Sequence, residues 1–138
     1  MDRICLIIKA LPENESFARS VIAAYATRLN PSMEEISDIK TSVSEAITNA
    51  IVHGYNNDPD KDISITASIE GNTLWVTVED KGVGIPDIVE AMKDFYTTKP
   101  SEERSGLGFT IMGSFMDTLQ VKSVVGEGTT VIMSKVIS

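Results

Sequence analysis

Three groups of residues in this chain have the types and spacing to do chemistry. Glu45, Asn49 and His53 recur at intervals of four, which stacks them on one stripe of an α-helix. A glutamate there can take a proton from a hydroxyl. Asparagine is a mediocre helix former but a neutral oxygen ligand suited to Mg²⁺. A solvated polar face has the same spacing, and His53 suits a helix end as well as a site. Asp80, Gly82 and Gly84 form the second group. An aspartate that continues the apolar phase of a strand is carried to the buried face, where it needs a hydrogen bond or a ligand. The glycines permit close approach of a flat group to the backbone, although an ordinary strand-to-loop turn uses the same residue types. The third group is Arg104-Ser105-Gly106-Leu107-Gly108-Phe109. Glycines followed by the free N–H groups of a helix start make a phosphate cradle, and a hinge before a helix is the plainer reading. Neither a Walker A motif nor a dinucleotide fingerprint occurs.

These groups must be positioned by regular elements. Ile4 to Lys9 is rich in β-branched residues and reads as a strand. Pro12-Glu13-Asn14 reads as a polar break, and Phe17, Val21, Ala24, Tyr25 and Leu29 place a helix over 15–29. Ser32 and Glu35 fit a capping box. The apolar stripe from Ile36 to Ile51 carries the second helix to about His53, with a stop near Gly54. Ile63, Ile65, Ala67 and Ile69, then Leu74, Val76 and Val78, alternate with polar residues around Glu70-Gly71-Asn72, which predicts a hairpin. Asp80 continues the inward phase. A short helix is expected at 87–92 and an aperiodic loop at 93–105. A helix carrying Ile111, Met112, Phe115 and Met116 follows, then strands at 118–125 and 129–136 around Gly126-Glu127-Gly128. Hairpin connections predict a mostly antiparallel sheet covered on one face by helices, an α/β two-layer sandwich of the α+β type.

The chain has 138 residues, the size of one domain, so a single domain over 1–138 is expected. Its 42% hydrophobic and 23% charged composition fits a folded protein. The net charge of −8 disfavours nucleic acid and anionic membranes as partners. Nothing approaches the length of a transmembrane helix, and the apolar run before Lys9 is too short for a signal peptide. Cys5 is the single cysteine, which excludes an intrachain disulfide and a cysteine zinc site. A cytoplasmic protein is expected.

The order of the motifs is more specific than any one of them. Glu45-Ala46-Ile47-Thr48-Asn49-Ala50-Ile51-Val52-His53-Gly54-Tyr55 resembles the N box of the GHKL ATP-binding superfamily. Asp80-Lys81-Gly82-Val83-Gly84-Ile85 resembles its G1 box, Ser105-Gly106-Leu107-Gly108-Phe109 its G2 box, and Gly128-Thr129-Thr130 its last strand entry. Phe95-Tyr96-Thr97-Thr98-Lys99-Pro100, Glu103-Arg104 before the G2 box and Asn14-Glu15-Ser16-Phe17-Ala18-Arg19 are similar to the anti-sigma serine kinases of endospore-forming bacteria.

The resemblance implies the Bergerat ATP-binding fold, ATP or ADP and Mg²⁺ as cofactors, and a set of roles. Glu45 would be the catalytic base toward a seryl hydroxyl, and Asn49 the Mg²⁺ ligand. Asp80 would accept from the adenine amino group, with Gly84 backing the ring and Thr130 near it. Residues 93–105 would be an ATP lid with Arg104 at the terminal phosphate, and Gly106, Leu107 and Gly108 would donate N–H groups to the phosphates. His53, Gly82, Ile85, Thr98 and Ser105 would complete the nucleotide-binding set. The family binds a sporulation sigma factor to block transcription. It also phosphorylates a serine of an anti-anti-sigma partner of STAS type, and forms homodimers through the sheet region. Ile4, Leu6 and Ile8, if exposed on an edge strand, would suit such a dimer. Three alternatives stay open: a non-catalytic nucleotide-gated binding module, which needs Asn49 and Asp80 but no base; a stress-response anti-sigma kinase of the same family; and a detached histidine-kinase catalytic domain.

Overall fold

A computed structural model describes residues 2–86 and 108–138 of the chain. The first strand, β1 (Asp2–Lys9), leads into helix α1 (Pro12–Ala26). Pro12 sits in the first turn of α1, where its missing N–H costs nothing and its fixed φ favours the helix. The segment read as a polar break is therefore the helix start. A 3₁₀ turn (Thr27–Leu29) follows, and Asn30 closes it at φ 51°, a left-handed conformation that asparagine tolerates.

Helix α2 (Met33–Asn49) begins with the expected capping box, in which Ser32 and Glu35 each accept the other's backbone N–H. The helix does not stop cleanly. It loosens into a π turn (Ala50–Gly54), where the Tyr55 N–H reaches back to the Ala50 carbonyl. Strands β2 (Asp62–Glu70) and β3 (Thr73–Asp80) form the hairpin. Helix α3 (Gly108–Phe115), β4 (Thr118–Val124) and β5 (Gly128–Val136) complete the described elements. The expected helix at 87–92 and the loop at 93–105 lie outside the described residues.

The five strands form one sheet in the order β1-β2-β3-β5-β4, antiparallel at every pairing. Ile39, Val43 and Ile47 of α2 are buried with Ile63, Ile65, Leu74, Val76, Val78, Val131 and Met133 of the sheet and Met112 of α3. Burying side chains of this size stabilises the fold by roughly 1.5–3 kcal/mol each. Among the described residues the helices occupy this face alone, and Ile7, Trp75 and Val136 stand exposed on the other. One expectation fails here. Ile8 is buried and Ile4 and Leu6 pack against the core, while Ile7 is 64% exposed. The continuous apolar run of β1 hides its phase, and an error of one residue exchanges the faces.

Candidate functional site

The site lies at one end of the molecule, between the helical layer and the end of β3. Asp80 is the last residue of β3, on the inner face as its phase predicts, and only 6% exposed. Its Oδ1 accepts the Gly82 N–H at 2.9 Å. Burial pushes the carboxyl pKa up; the Gly82 and Thr129 backbone N–H groups pull it partly back, and the charge of Glu79 adds to the rise. Gly54, the last residue of the π turn, lies directly against this carboxyl. A Cβ there would stand 2.9 Å from the carboxyl carbon and both oxygens, so any side chain would drive the turn away from Asp80.

Residues 81–86 leave β3 and are fixed on several sides. The Lys81 N–H donates to the Tyr55 hydroxyl at 2.7 Å. The Val83 N–H donates to the Gly54 carbonyl, and the Val83 carbonyl accepts the Gly126 N–H. The Ile85 N–H donates to Ser123 Oγ at 2.7 Å. Gly84 sits at φ 79° with the Val124 carbonyl where its Cβ would be. Both constraints demand glycine, and the group approached is the end of β4. The sequence explains Gly84 by a bound ring; the fold supplies a neighbour of its own.

The helical side of the site is the Glu45–Asn49–His53 stripe. Glu45 and Asn49 are half-buried on α2, and His53 is half-buried in the π turn. Gly108, the first residue of α3, packs against Glu45, whose Oε1 lies 3.2 Å from the position of a Cβ on that glycine. The described start of α3 thus lies against the Glu45 carboxylate.

The structure therefore brings Glu45, Asn49 and Gly108 together on one side, and Asp80, Gly82, Gly84 and Ile85 on the other, joined through the π turn. Thr130 is placed elsewhere. The register pairs it with Glu79 and Lys122, on the outer face. Thr129 is the threonine opposite Asp80, buried, with Oγ1 2.8 Å from Ser123 Oγ. The doublet Thr129-Thr130 leaves the phase open; counting pairs from the β4–β5 turn would have fixed it. Thr98, Arg104, Ser105, Gly106 and Leu107 lie outside the described residues. Tyr55 and Ser123 were missed as site residues, because a hydroxyl that binds backbone leaves no spacing signal.

The donor set suits a Mg²⁺ nucleotide. No three His, Cys, Asp or Glu side chains converge on a metal position among the described residues. Mg²⁺ keeps several waters and is commonly held by one or two protein oxygens together with substrate phosphates. Asn49 on its half-buried stripe has an oxygen that could serve in this way, and Asp80 is a buried carboxylate that could accept from an amino group.

Comparison with known proteins decides the family. The sequence pattern of the histidine kinase-like ATPase domain matches residues 8–135. This chain belongs to that family. Within it, the chain groups with proteins named anti-sigma F factor. The one from Geobacillus kaustophilus is 56% identical over 130 residues, covering 94% of this chain and 89% of the relative. That from Bacillus licheniformis is 49% identical over 129 residues, covering 94% and 88%. Among solved structures, the RsbU and RsbW domains of a Mycobacterium tuberculosis protein match with a TM-score of 0.70 at 16% identity over 99% of this chain. This chain spans 32% of that longer protein. The catalytic domain of the histidine kinase ThkA matches with a TM-score of 0.60 at 17% identity, covering 99% of this chain and 97% of that one. At such identities the two structures speak for the fold. They agree that the antiparallel sheet and its helical layer are a histidine kinase-like ATPase fold.

Proposed function

We propose that this chain is an anti-sigma factor and serine-protein kinase that works as one domain over 1–138. The observation that carries the reading is the buried Asp80 carboxyl, held at the end of β3 by the Gly82 N–H and walled by Gly54, on the same side of the sheet as the Glu45–Asn49 stripe. A buried carboxylate of this kind is costly unless a ligand uses it. In the proposed reading it accepts a hydrogen bond from the adenine amino group of ATP or ADP.

Phosphoryl transfer needs positioning and charge neutralisation more than covalent chemistry. Asn49 would hold Mg²⁺, which supplies neutralisation at the phosphates. The start of α3 at Gly108 would offer backbone N–H groups to the phosphates, and Arg104 to Leu107 lead into it in sequence. Glu45 orients the seryl hydroxyl of the protein substrate and takes its proton as the phosphate is transferred. His53 and Thr98 are assigned to the nucleotide surroundings. The names of the relatives support a sigma factor as the bound target, and the phosphorylated partner is proposed, from the sequence resemblance, to be an anti-anti-sigma protein of STAS type. Among the described residues no helix is long and apolar enough to cross a membrane; the proposed place of action is the cytoplasm. A homodimer over the sheet face that bears Ile7, Trp75 and Val136 completes the proposal.

The test is incubation with Mg²⁺, γ-labelled ATP and a candidate anti-anti-sigma protein. Acid-stable label on a partner serine, lost in Glu45→Ala while ATP and sigma binding persist, is the expected result. Acid-labile label would overturn the serine assignment, and full activity of Glu45→Ala would remove the base.

A further inference from the structure

Residues 81–86 have no regular secondary structure, yet their backbone is fixed at alternate residues. Lys81, Val83 and Ile85 each donate their N–H outside the loop. The acceptor for Val83 is a backbone carbonyl. The other two acceptors are side-chain hydroxyls, Tyr55 and Ser123, one at each end of the loop. Neither hydroxyl is a chance contact. Tyr55 is 8% exposed and also donates to the Asp62 carbonyl at 2.7 Å, so it ties the start of β2 to the end of β3. Ser123 Oγ lies 3.1 Å from the Gly128 carbonyl and 2.8 Å from Thr129 Oγ1. With Thr129 as donor, Ser123 accepts twice and donates once, which uses the hydroxyl fully.

We propose that Tyr55 and Ser123 are positioning residues that hold the 81–86 loop in its binding shape before nucleotide arrives. The inference rests on the proposed placement of adenine at Asp80. Gly82, which supplies the N–H on the Asp80 carboxyl, lies between the two pegs. A loop ordered in advance need not be ordered on binding, and affinity gains by that amount. Loss of either hydroxyl leaves a loop N–H without its acceptor and frees one end.

Tyr55→Phe and Ser123→Ala test this, with Ser123→Thr as the variant that restores a hydroxyl. Amide exchange of residues 81–85 is measured without nucleotide, and dissociation constants for ATP and ADP are measured by fluorescence. Each loss variant is expected to exchange faster within the loop and to bind both nucleotides about tenfold more weakly, the size of one hydrogen bond. The losses should be equal for ATP and ADP, because the base end is common to both, and Ser123→Thr should recover most of the affinity. Unchanged loop exchange in both loss variants would overturn the anchoring role. Affinities within twofold of the parent despite faster exchange would overturn the link to binding. A parent protein that binds neither nucleotide would overturn that link together with the adenine placement, and loop exchange would still decide whether the two hydroxyls anchor the loop.

Discussion

Asp80 is kept at a cost. Burial raises its pKa, and the two backbone N–H groups offset only part of the rise. The folded chain therefore takes up this proton at higher pH than the unfolded chain does. Stability falls as pH rises from the ordinary aspartate range through the raised pKa, and the loss is complete above it. Two outcomes follow. Asp80→Asn should weaken ATP binding by about 10–100-fold, the range for a hydrogen bond to a charged group, while the nucleotide-free variant melts no lower than its parent. Isothermal titration and a thermal melt check the pair; undiminished affinity would remove the adenine role. In the parent, ATP affinity should decline as the pH is lowered toward the raised pKa, since protonation removes the anionic acceptor. At this scale the sequence is informative where a residue keeps step with a pattern. Asp80 follows Leu74, Val76 and Val78, so its burial is readable. Ile4, Leu6 and Ile8 stand in an unbroken apolar run, and Thr129 beside its twin Thr130, so neither case shows a phase.

Among the elements, α2 carries the most chemistry and has the best-marked start. Ser32→Ala removes one half of the capping box and should lower stability by about 1 kcal/mol in urea denaturation. Glu35 closes the other half and also accepts from Ser138. These backbone hydrogen bonds lower its pKa. Its contribution is thus present above the ordinary glutamate range and lost as pH falls through the lowered value. Ser42, fully buried one turn before Glu45, has no hydrogen-bond partner for its hydroxyl among the described residues. Ser42→Ala should raise stability by about 1 kcal/mol, the cost of an unsatisfied buried hydroxyl; a lower melting temperature would show that the hydroxyl has a use. The far end of α2 was only half legible. Gly54 marks a stop, but nothing in residues 50–54 announces a π turn. The widened turn is set by tertiary contact, since Gly54 must meet both Asp80 and Val83. Local propensity has no record of such a demand.

For the molecule as a whole, layer architecture and antiparallel pairing were readable because β2 and β3, and β4 and β5, are joined by short turns. The position of β5 between β3 and β4 was not, because pairing order depends on which edges meet after the helix α3 has crossed. The sheet presents its helices on one side and Ile7, Trp75 and Val136 on the other. If that face joins two subunits, Ile7→Glu should yield a monomer in sedimentation and leave ATP affinity unchanged, since the site lies behind the opposite face. A dimer that survives the charge would place the interface elsewhere.

The hairpin turn between β2 and β3 has a different use. Gly71 takes φ 61° with nothing within 4 Å of a Cβ position, and Asn72 beside it is exposed. Asp80 stands eight positions beyond Asn72, at the far end of β3, about 26 Å along an extended strand. The molecule thus has a working pole and an idle pole joined by one stiff ribbon. A fluorophore on a cysteine placed at Asn72, with Cys5 removed, would ride on the ribbon without touching the nucleotide. It would report tumbling and assembly as partners arrive, with the chemistry at the other pole undisturbed.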